Sequence, residues 1–386
     1  MSSPDLTDLE RSAVANVLRT PVLSMGLHTA AFEKSVADFV GAGHAIAVSS
    51  GTAGLHLCVR AAGIQPGDLV LTTPFSFVAS SNVLLYENAV PIFIDVDERT
   101  GNIDPARLAE AAEDLSTGSA AAQQWLPRKG AEFRKPRAIL AVDVFGQPAD
   151  YDAINAIAKR NSLILIEDSC EALGAEYKTR PAGIFGQSAV FAFYPNKQIT
   201  TGEGGIIVTN DDAGADFMRA LRNQGRAPGD TWLEHTHLGY NYRITEMSAA
   251  LGRAQMQRLN ELLAKRQQVA DWYTQRIETM QGIEPPHIAE STKKMSWFVY
   301  VVRLAPRLDR RRIAADLERA GIPNRPYFAP IHLQPYMIER FGYREGDFPV
   351  TEDLGRRGLA LPFSGVMTEE QVDLVCAELA TALRRQ

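Results

Sequence analysis

Five short runs of apolar and β-branched residues, separated by stretches with apolar residues at helical spacing, fill much of the first half of the chain and leave few folds open. The runs are HAIAVS from His44 to Ser49, LVLTT to Thr73, VPIFIDVD to Asp97, AILAVDVFG to Gly146 and LILIE from Leu163 to Glu167. Between them fall LHLCVRAAG to Gly63, a helix-like stretch from Pro74 to Leu85, a helix over 104–115 opened by Asp104-Pro105, and another over 151–159. Proline suits a first helical turn because the N–H it lacks would be unpaired there anyway. Strands alternating with helices predict an α/β fold with a mostly parallel sheet.

Sheets of this kind bind ligands at the carboxyl ends of their strands. LILIE ends there in Glu167-Asp168. An acid so placed can hold a ring nitrogen protonated, as an electron-sink pyridine requires; a cap or turn residue is the alternative. HAIAVS runs into Ser50-Gly51-Thr52-Ala53-Gly54 and then a helix, where free N–H groups and the helix dipole together suit an anion. A plain N-cap by Ser50 or Thr52 is the competing reading. Phe75 and Phe77 follow the second strand; either can cover a flat ring, and either can simply be core.

The stretch AVFAFYPNKQITTGEGGIIVTN, from Ala189 to Asn210, holds the most telling residue. An apolar, aromatic run stops at Asn196-Lys197, and Gly202, Gly204 and Gly205 lead into a second strand, allowing close backbone approach. Buried lysine is costly unless paired or neutralised. One way out is a Schiff base with an aldehyde such as that of pyridoxal 5′-phosphate (PLP). A surface lysine beside a hairpin is the alternative.

Helices are also expected over 8–18 and 29–40, the latter stopped by Gly41-Ala-Gly43. Residues 116–136 read as a long loop or insertion. After Asn210 come a helix to about Asn223, a polar loop with Trp232, His235 and His237, and a long helix ending near Met280. Strand WFVYVVRL from Trp297, a helix over 309–320, a proline-rich loop and a helix over 369–384 complete a smaller α+β unit. The division expected is a large domain over 1–255 and a small one over 256–386.

With 45% hydrophobic and 22% charged residues and a net charge of −6, the chain reads as an ordinary globular protein with nucleic acid an improbable partner. No membrane-length apolar run or signal-peptide pattern is seen, so a cytoplasmic location is expected. Cys58, Cys170 and Cys376 are too scattered for a disulfide framework or a metal site.

In order, SSGTAGLHL, TTPFSFVASS, DVFGQPADYDAI, IEDSCEALGAEY, FYPNKQITTGEGG and GYNYRITEMSAAL resemble the DegT/DnrJ/EryC1/StrS family of PLP-dependent aminotransferases, across nearly the whole chain. The resemblance implies an aspartate-aminotransferase-like (fold type I) architecture and a homodimer. Lys197 would carry PLP and move the proton, and Asp168 would face the pyridine nitrogen. Gly51, Thr52 and Ala53 would hold the phosphate, Phe77 would stack on the ring, and Asn241 would reach the neighbour's phosphate. Two positions depart from the common pattern. Ala192 stands where many members have a phosphate-binding serine, and Glu171 where many have histidine or glutamine near the cofactor hydroxyl.

The implied reaction moves an amino group from a donor, glutamate being the expected one, to a keto sugar linked to a nucleotide. Alternatives are a non-sugar cyclic ketone, such as a cyclitol or aromatic precursor, and a non-catalytic PLP-binding regulator. Family dehydratases replace the lysine by histidine, so Lys197 argues against that chemistry, and no G-x-G-x-x-G follows the first strand to suggest NAD. Tyr194, Arg325 and His332 are the expected substrate contacts, with Arg325, Arg128, Lys129 and Arg134 the cations available to a diphosphate.

Overall fold

The computed structural model describes residues 3–227, 229–231 and 233–385, so Trp232 lies outside the described residues. Helix α1 (Asp8–Val17) opens with a capping box between Thr7 and Glu10, and α2 (Leu27–Val40) is stopped by Gly41 at φ 75°. The expected alternation then follows as β1 (His44–Val48), α3 (Gly51–Ala61), β2 (Leu69–Thr72), α4 (Ala79–Tyr86), β3 (Val90–Phe93) and α5 (Pro105–Thr117). Asp104 caps α5 through its carboxylate. Next come β4 (Pro136–Val142), α6 (Tyr151–Asn161), β5 (Ile164–Asp168), a small ribbon of β6 (Glu176–Tyr177) and β7 (Arg180–Pro181), then β8 (Ser188–Ala192) and β9 (Gly205–Thr209).

Seven of these strands form one sheet in the order β1-β9-β8-β5-β4-β2-β3. All run parallel except β9, which is antiparallel to both β1 and β8. The short connection from Ala192 to Gly205 leaves no room for a crossover helix, so β9 must return alongside β8. Alternate residues enter opposite cores. Ile46, Leu140, Ile166, Val190 and Ile207 face one cluster, while Ile139, Leu165 and Phe191 face the other side. Burial on both faces explains why these strands read as apolar runs rather than as alternating patterns.

Helix α7 (Asp212–Arg222) follows, then α8 (Glu246–Gln257) and α9 (Leu259–Ile277). The long helix expected to open at the end of the Gly239–Leu259 segment is α9, separated from α8 at Arg258, where the backbone leaves helical geometry and the guanidinium pairs with Asp5, Glu10 and Glu261. Strands β10 (Ile283–Glu284), β11 (Thr292–Lys294) and β12 (Tyr300–Leu304) lead to α10 (Arg310–Arg319) and β13 (Arg325–Pro326). The chain ends with α11 (Pro335–Phe341), α12 (Pro349–Arg357), β14 (Gly358–Leu361) and α13 (Glu369–Arg384). A second, antiparallel sheet in the order β10-β12-β14-β13 packs its Tyr300, Val302 and Leu359 against apolar residues of α9, α10 and α13. Pro335, read from sequence as a loop stiffener, instead begins α11. The 116–136 segment is the expected irregular connection, a short 3₁₀ turn over Ala120–Trp125 followed by extended chain, and it docks on α11 through Lys129 N–H to Phe341 O.

Candidate active site

The carboxyl ends of β1, β5 and β8 and the amino end of β9 meet around a cavity of about 450 Å³. Gly205 makes this junction possible. It pairs with Val48 on one side and Ala192 on the other, and a Cβ built on it would stand 2.6 Å from the Ser50 carbonyl and 2.7 Å from Gly51 N. Only glycine lets β9 pass this close to the start of α3. Gly202, at φ 79°, turns the chain before it.

Lys197 lies in the connection between β8 and β9, which Thr201 N–H closes onto Phe193 O and Lys197 N–H onto Tyr194 O. Its side chain is only 12% exposed, with Nζ 3.4 Å from Glu171 Oε1 and 4.0 Å from the centre of the Phe298 ring. Glu171 also accepts Phe145 N–H at 2.9 Å. Burial pushes the Glu171 carboxyl up from its ordinary range, and the opposing pull of Lys197 and Phe145 N–H does not cancel it. Asp168 ends β5, with Oδ2 accepting Ser80 O–H at 2.6 Å and Oδ1 accepting Cys170 N–H at 3.3 Å. Ser80 Oγ lies in turn 2.8 Å from Ser76 Oγ.

At the other end of the cavity Ser50 caps α3, its Oγ taking Ala53 N–H at 3.1 Å and its carbonyl taking Gly54 N–H. That leaves the Gly51 and Thr52 N–H groups directed at the cavity, since the first helical amides have no partner within the helix. The expectation for Ala53 needs correction, because its N–H is already committed to the cap and it does not line the cavity. Phe75 and Phe77 take different fates: Phe75 is core, and Phe77 is 63% exposed on the cavity wall. Ala192, Tyr194 and Glu171 line the cavity as well.

Other expected contacts are not brought here. His332 is fully buried, with Nε2 2.9 Å from Glu352 Oε1, so it faces the interior and not the cavity. Arg325 stays outside the lining, its guanidinium turned back to Asn324 O. Arg128 is held by both oxygens of Asp347, Arg134 reaches back to Pro66 O, and Lys129 packs over Gly342. None of these three is a free cation at the cavity. Asn241 is exposed and lies outside the lining of its own chain. Sequence reasoning missed Ser80 and Phe298, both in the cavity wall, whereas Tyr327 and Phe328 come from the 325–336 loop whose aromatics were expected near the substrate. The Ser76 and Ser80 pair, four residues apart, was the one legible sign of a hydroxyl relay; Phe298 arrives just before a strand of the second sheet, and nothing local marks it.

An amine, a buried carboxylate, an exposed aromatic face and two free helix amides around one cavity are the complementary groups for an aromatic aldehyde phosphate. The sequence matches the model of the DegT/DnrJ/EryC1/StrS aminotransferase family over residues 4–380. The chain belongs to that family. The family member GDP-perosamine synthase of Caulobacter vibrioides is 38% identical to it over 387 residues, covering 99% of this chain and 98% of the relative. Among solved structures of the fold, Helicobacter pylori PseC, an aminotransferase involved in the biosynthesis of pseudoaminic acid, superposes with a TM-score of 0.89 at 26% identity, covering 100% of this chain and 99% of that one. A structure of 3-amino-5-hydroxybenzoic acid synthase is similar at TM-score 0.87 and 26% identity, covering 100% and 98%. The fold is that of type I PLP enzymes, and this family member is a PLP-dependent aminotransferase. No helix among the described residues is long and apolar enough to cross a membrane.

Proposed function

We propose that this aminotransferase moves an amino group from an amino acid, glutamate being the expected donor, to a keto sugar carried on a nucleotide. The observation behind the residue roles is that the Lys197 amine and the Asp168 carboxylate, from the ends of different strands, open on the same cavity beside Phe77. The sugar substrate rests on likeness to the perosamine enzyme. PLP supplies an aldehyde and a ring that accepts electrons. In this reading the Lys197 amine would hold the cofactor through its aldehyde and would be the group that moves a proton. Asp168, oriented by Ser80, would keep the ring nitrogen protonated. Phe77 would cover the ring, and the Gly51 and Thr52 amides with the Thr52 hydroxyl would take the phosphate. Glu171 stands beside the amine, where it can hold a proton near the cofactor hydroxyl. Residues 1–255 are read as the cofactor-binding unit and 256–386 as the smaller one.

Charge supports a homodimer. Among the described residues Lys197 is the only lysine or arginine in the cavity lining, against Asp168, Glu171 and Glu203, so the cations for a diphosphate must come from beyond it. The second copy would supply Asn241 to the phosphate end. Verified heterodimers of Lys197→Ala and Asn241→Ala chains should regain activity at one of two sites; no recovery rejects the shared site.

The substrate is tested by converting the protein to its pyridoxamine form and screening keto sugars on several nucleotides beside free cyclic ketones. Return of visible cofactor absorption only with nucleotide-linked sugars is the expected result. Return only with free ketones would instead favour a cyclitol or aromatic precursor.

A further inference from the structure

Helix α9 carries a guanidinium in an unusual position. Arg266 is 5% exposed, and its hydrogen bonds go only to carbonyls. Nη1 donates to Trp297 O at 3.2 Å and Phe298 O at 3.3 Å, while Nη2 donates to Asn196 O at 3.2 Å and to Lys197 O. Among the described residues no carboxylate pairs with it, and burial brings it down to about 10, so it stays charged at neutral pH. Removing a cation from water without an anion to pair with it is unfavourable. An apolar side chain would dock α9 without that cost, so packing of the helix does not account for the residue.

The carbonyls it grips do suggest an account. One pair belongs to the turn that carries Lys197, the other to the segment that carries Phe298. Those two residues meet again across the cavity, where the amine stands 4.0 Å from the ring centre. Guanidinium, side chain and ring thus form a closed circuit. A lysine stem has four rotatable carbons, and its amine is placed only if the backbone at one end and the groups at the other keep a fixed separation. Only a planar fork with several donors can hold two carbonyl pairs at once.

We propose that Arg266 is a positioning residue which fixes the Lys197 amine by clamping its backbone to that of Phe298. This rests on the reading of Lys197 as the residue that carries PLP. It makes Arg266 matter for covalent attachment and little for prior capture of the cofactor, because the phosphate end lies on α3, which Arg266 does not touch.

The test uses full-length apoprotein and the Arg266→Lys, Arg266→Met and Arg266→Ala variants. Capture is measured as the Kd of deoxypyridoxine phosphate, which lacks the aldehyde. Attachment is measured as the rate at which borohydride fixes added PLP, with the label located by peptide mapping. Expected are a Kd within about twofold of wild type and attachment slowed by roughly a hundredfold, the scale of an ångström misplacement. Millimolar guanidinium, but not urea, should speed attachment in Arg266→Ala, a rescue that simple void-filling would not restrict to the cation. Should Arg266→Met fail to fold, Arg266→Lys carries the comparison, since it keeps the charge but cannot span both carbonyl pairs. Wild-type attachment in Arg266→Lys would overturn the proposal, as would parallel loss of capture and attachment, which marks a merely structural role. Label on another lysine in the wild-type protein would overturn the Lys197 assignment, and this inference with it.

Discussion

Gly205→Ala tests the architecture of the cavity at its tightest point. The added methyl would meet the carbonyl carbon and oxygen of Ser50 at 2.6 Å and Gly51 N at 2.7 Å. All three are backbone atoms, and no rotamer change can clear them, so either β9 or the Ser50-Gly51 turn must give way. Overpacking of this kind costs about 1–3 kcal/mol. If the turn moves, the free amides of Gly51 and Thr52 leave their aim, and the cost falls on affinity for the cofactor phosphate as roughly a tenfold to hundredfold rise in Kd. If β9 moves, the cost falls on the melting temperature instead. Titration with deoxypyridoxine phosphate and a thermal melt of the same preparation separate the two outcomes. Gly202→Ala is the control: nothing lies within 4 Å of its Cβ position, and only the φ of 79° opposes the change. It should lose about 1 kcal/mol of stability with the Kd unmoved. The reasoning fails if Gly205→Ala both binds and melts like the parent.

Asp168→Asn should retain PLP yet slow single-turnover transfer from the amino donor by roughly a thousandfold, because ring-nitrogen protonation matters most in the transition state; normal turnover would make Asp168 structural. Ala192→Ser restores a donor beside the start of α3, and a hydrogen bond to a charged group contributes about 1.5–3 kcal/mol, so the Kd for deoxypyridoxine phosphate should fall at least tenfold. An unchanged Kd means the phosphate already has all the donors it can use. Burial pushes the Glu10 carboxyl up, but Thr7 O–H and N–H, Arg258 and Gln255 outweigh it and bring it down to about 2. A carboxyl depressed in the folded state lends stability above its ordinary value near 4.5 and loses it as pH falls toward 2. Melts across that window should drop steeply for the parent and less steeply for Glu10→Gln; parallel curves would show that Glu10 does not anchor α1.

What could be read in advance follows from how local each signal is. The strands of the large sheet were legible because burial on both faces writes uniform apolar runs, and Asp168 was legible because it ends one of them. Lys197 stood out through the glycines that follow it. Phe298 joins the cavity only after the second sheet folds against the first, a relation with no sequence period. His332 misled for the opposite reason: a histidine in a loop looks available until the buried Glu352 beside it is seen. Helices α11 and α12 hid behind Pro335 and Pro349, each at a first helical turn where proline is tolerated but resembles a breaker. Ser80 was present in a quoted motif, yet only the 2.6 Å approach to Asp168 gives it a task.

The two departures from the family pattern act in the same direction once they are placed in the structure. In the proposed site Ala192 offers no hydroxyl donor beside Gly51, and Glu171 places an acid beside the amine. Both make the cavity of a single chain less welcoming to an anion, whether cofactor phosphate, donor carboxylate or sugar diphosphate. The helix amides of Gly51 and Thr52 offset part of this for the phosphate, since the dipole of α3 adds to their hydrogen bonds. They do nothing for a diphosphate farther out, because Glu203 is the exposed charge there and Arg128, outside the lining, is held by Asp347. Burial raises the Glu171 carboxyl from its ordinary range against the pull of Lys197 and Phe145 N–H, which lessens the charge it sets beside an incoming substrate. With Asp168, Glu171 and Glu203 in the described lining against Lys197 alone, cations that draw a diphosphate in have to lie outside that lining, where the proposed second copy would place them.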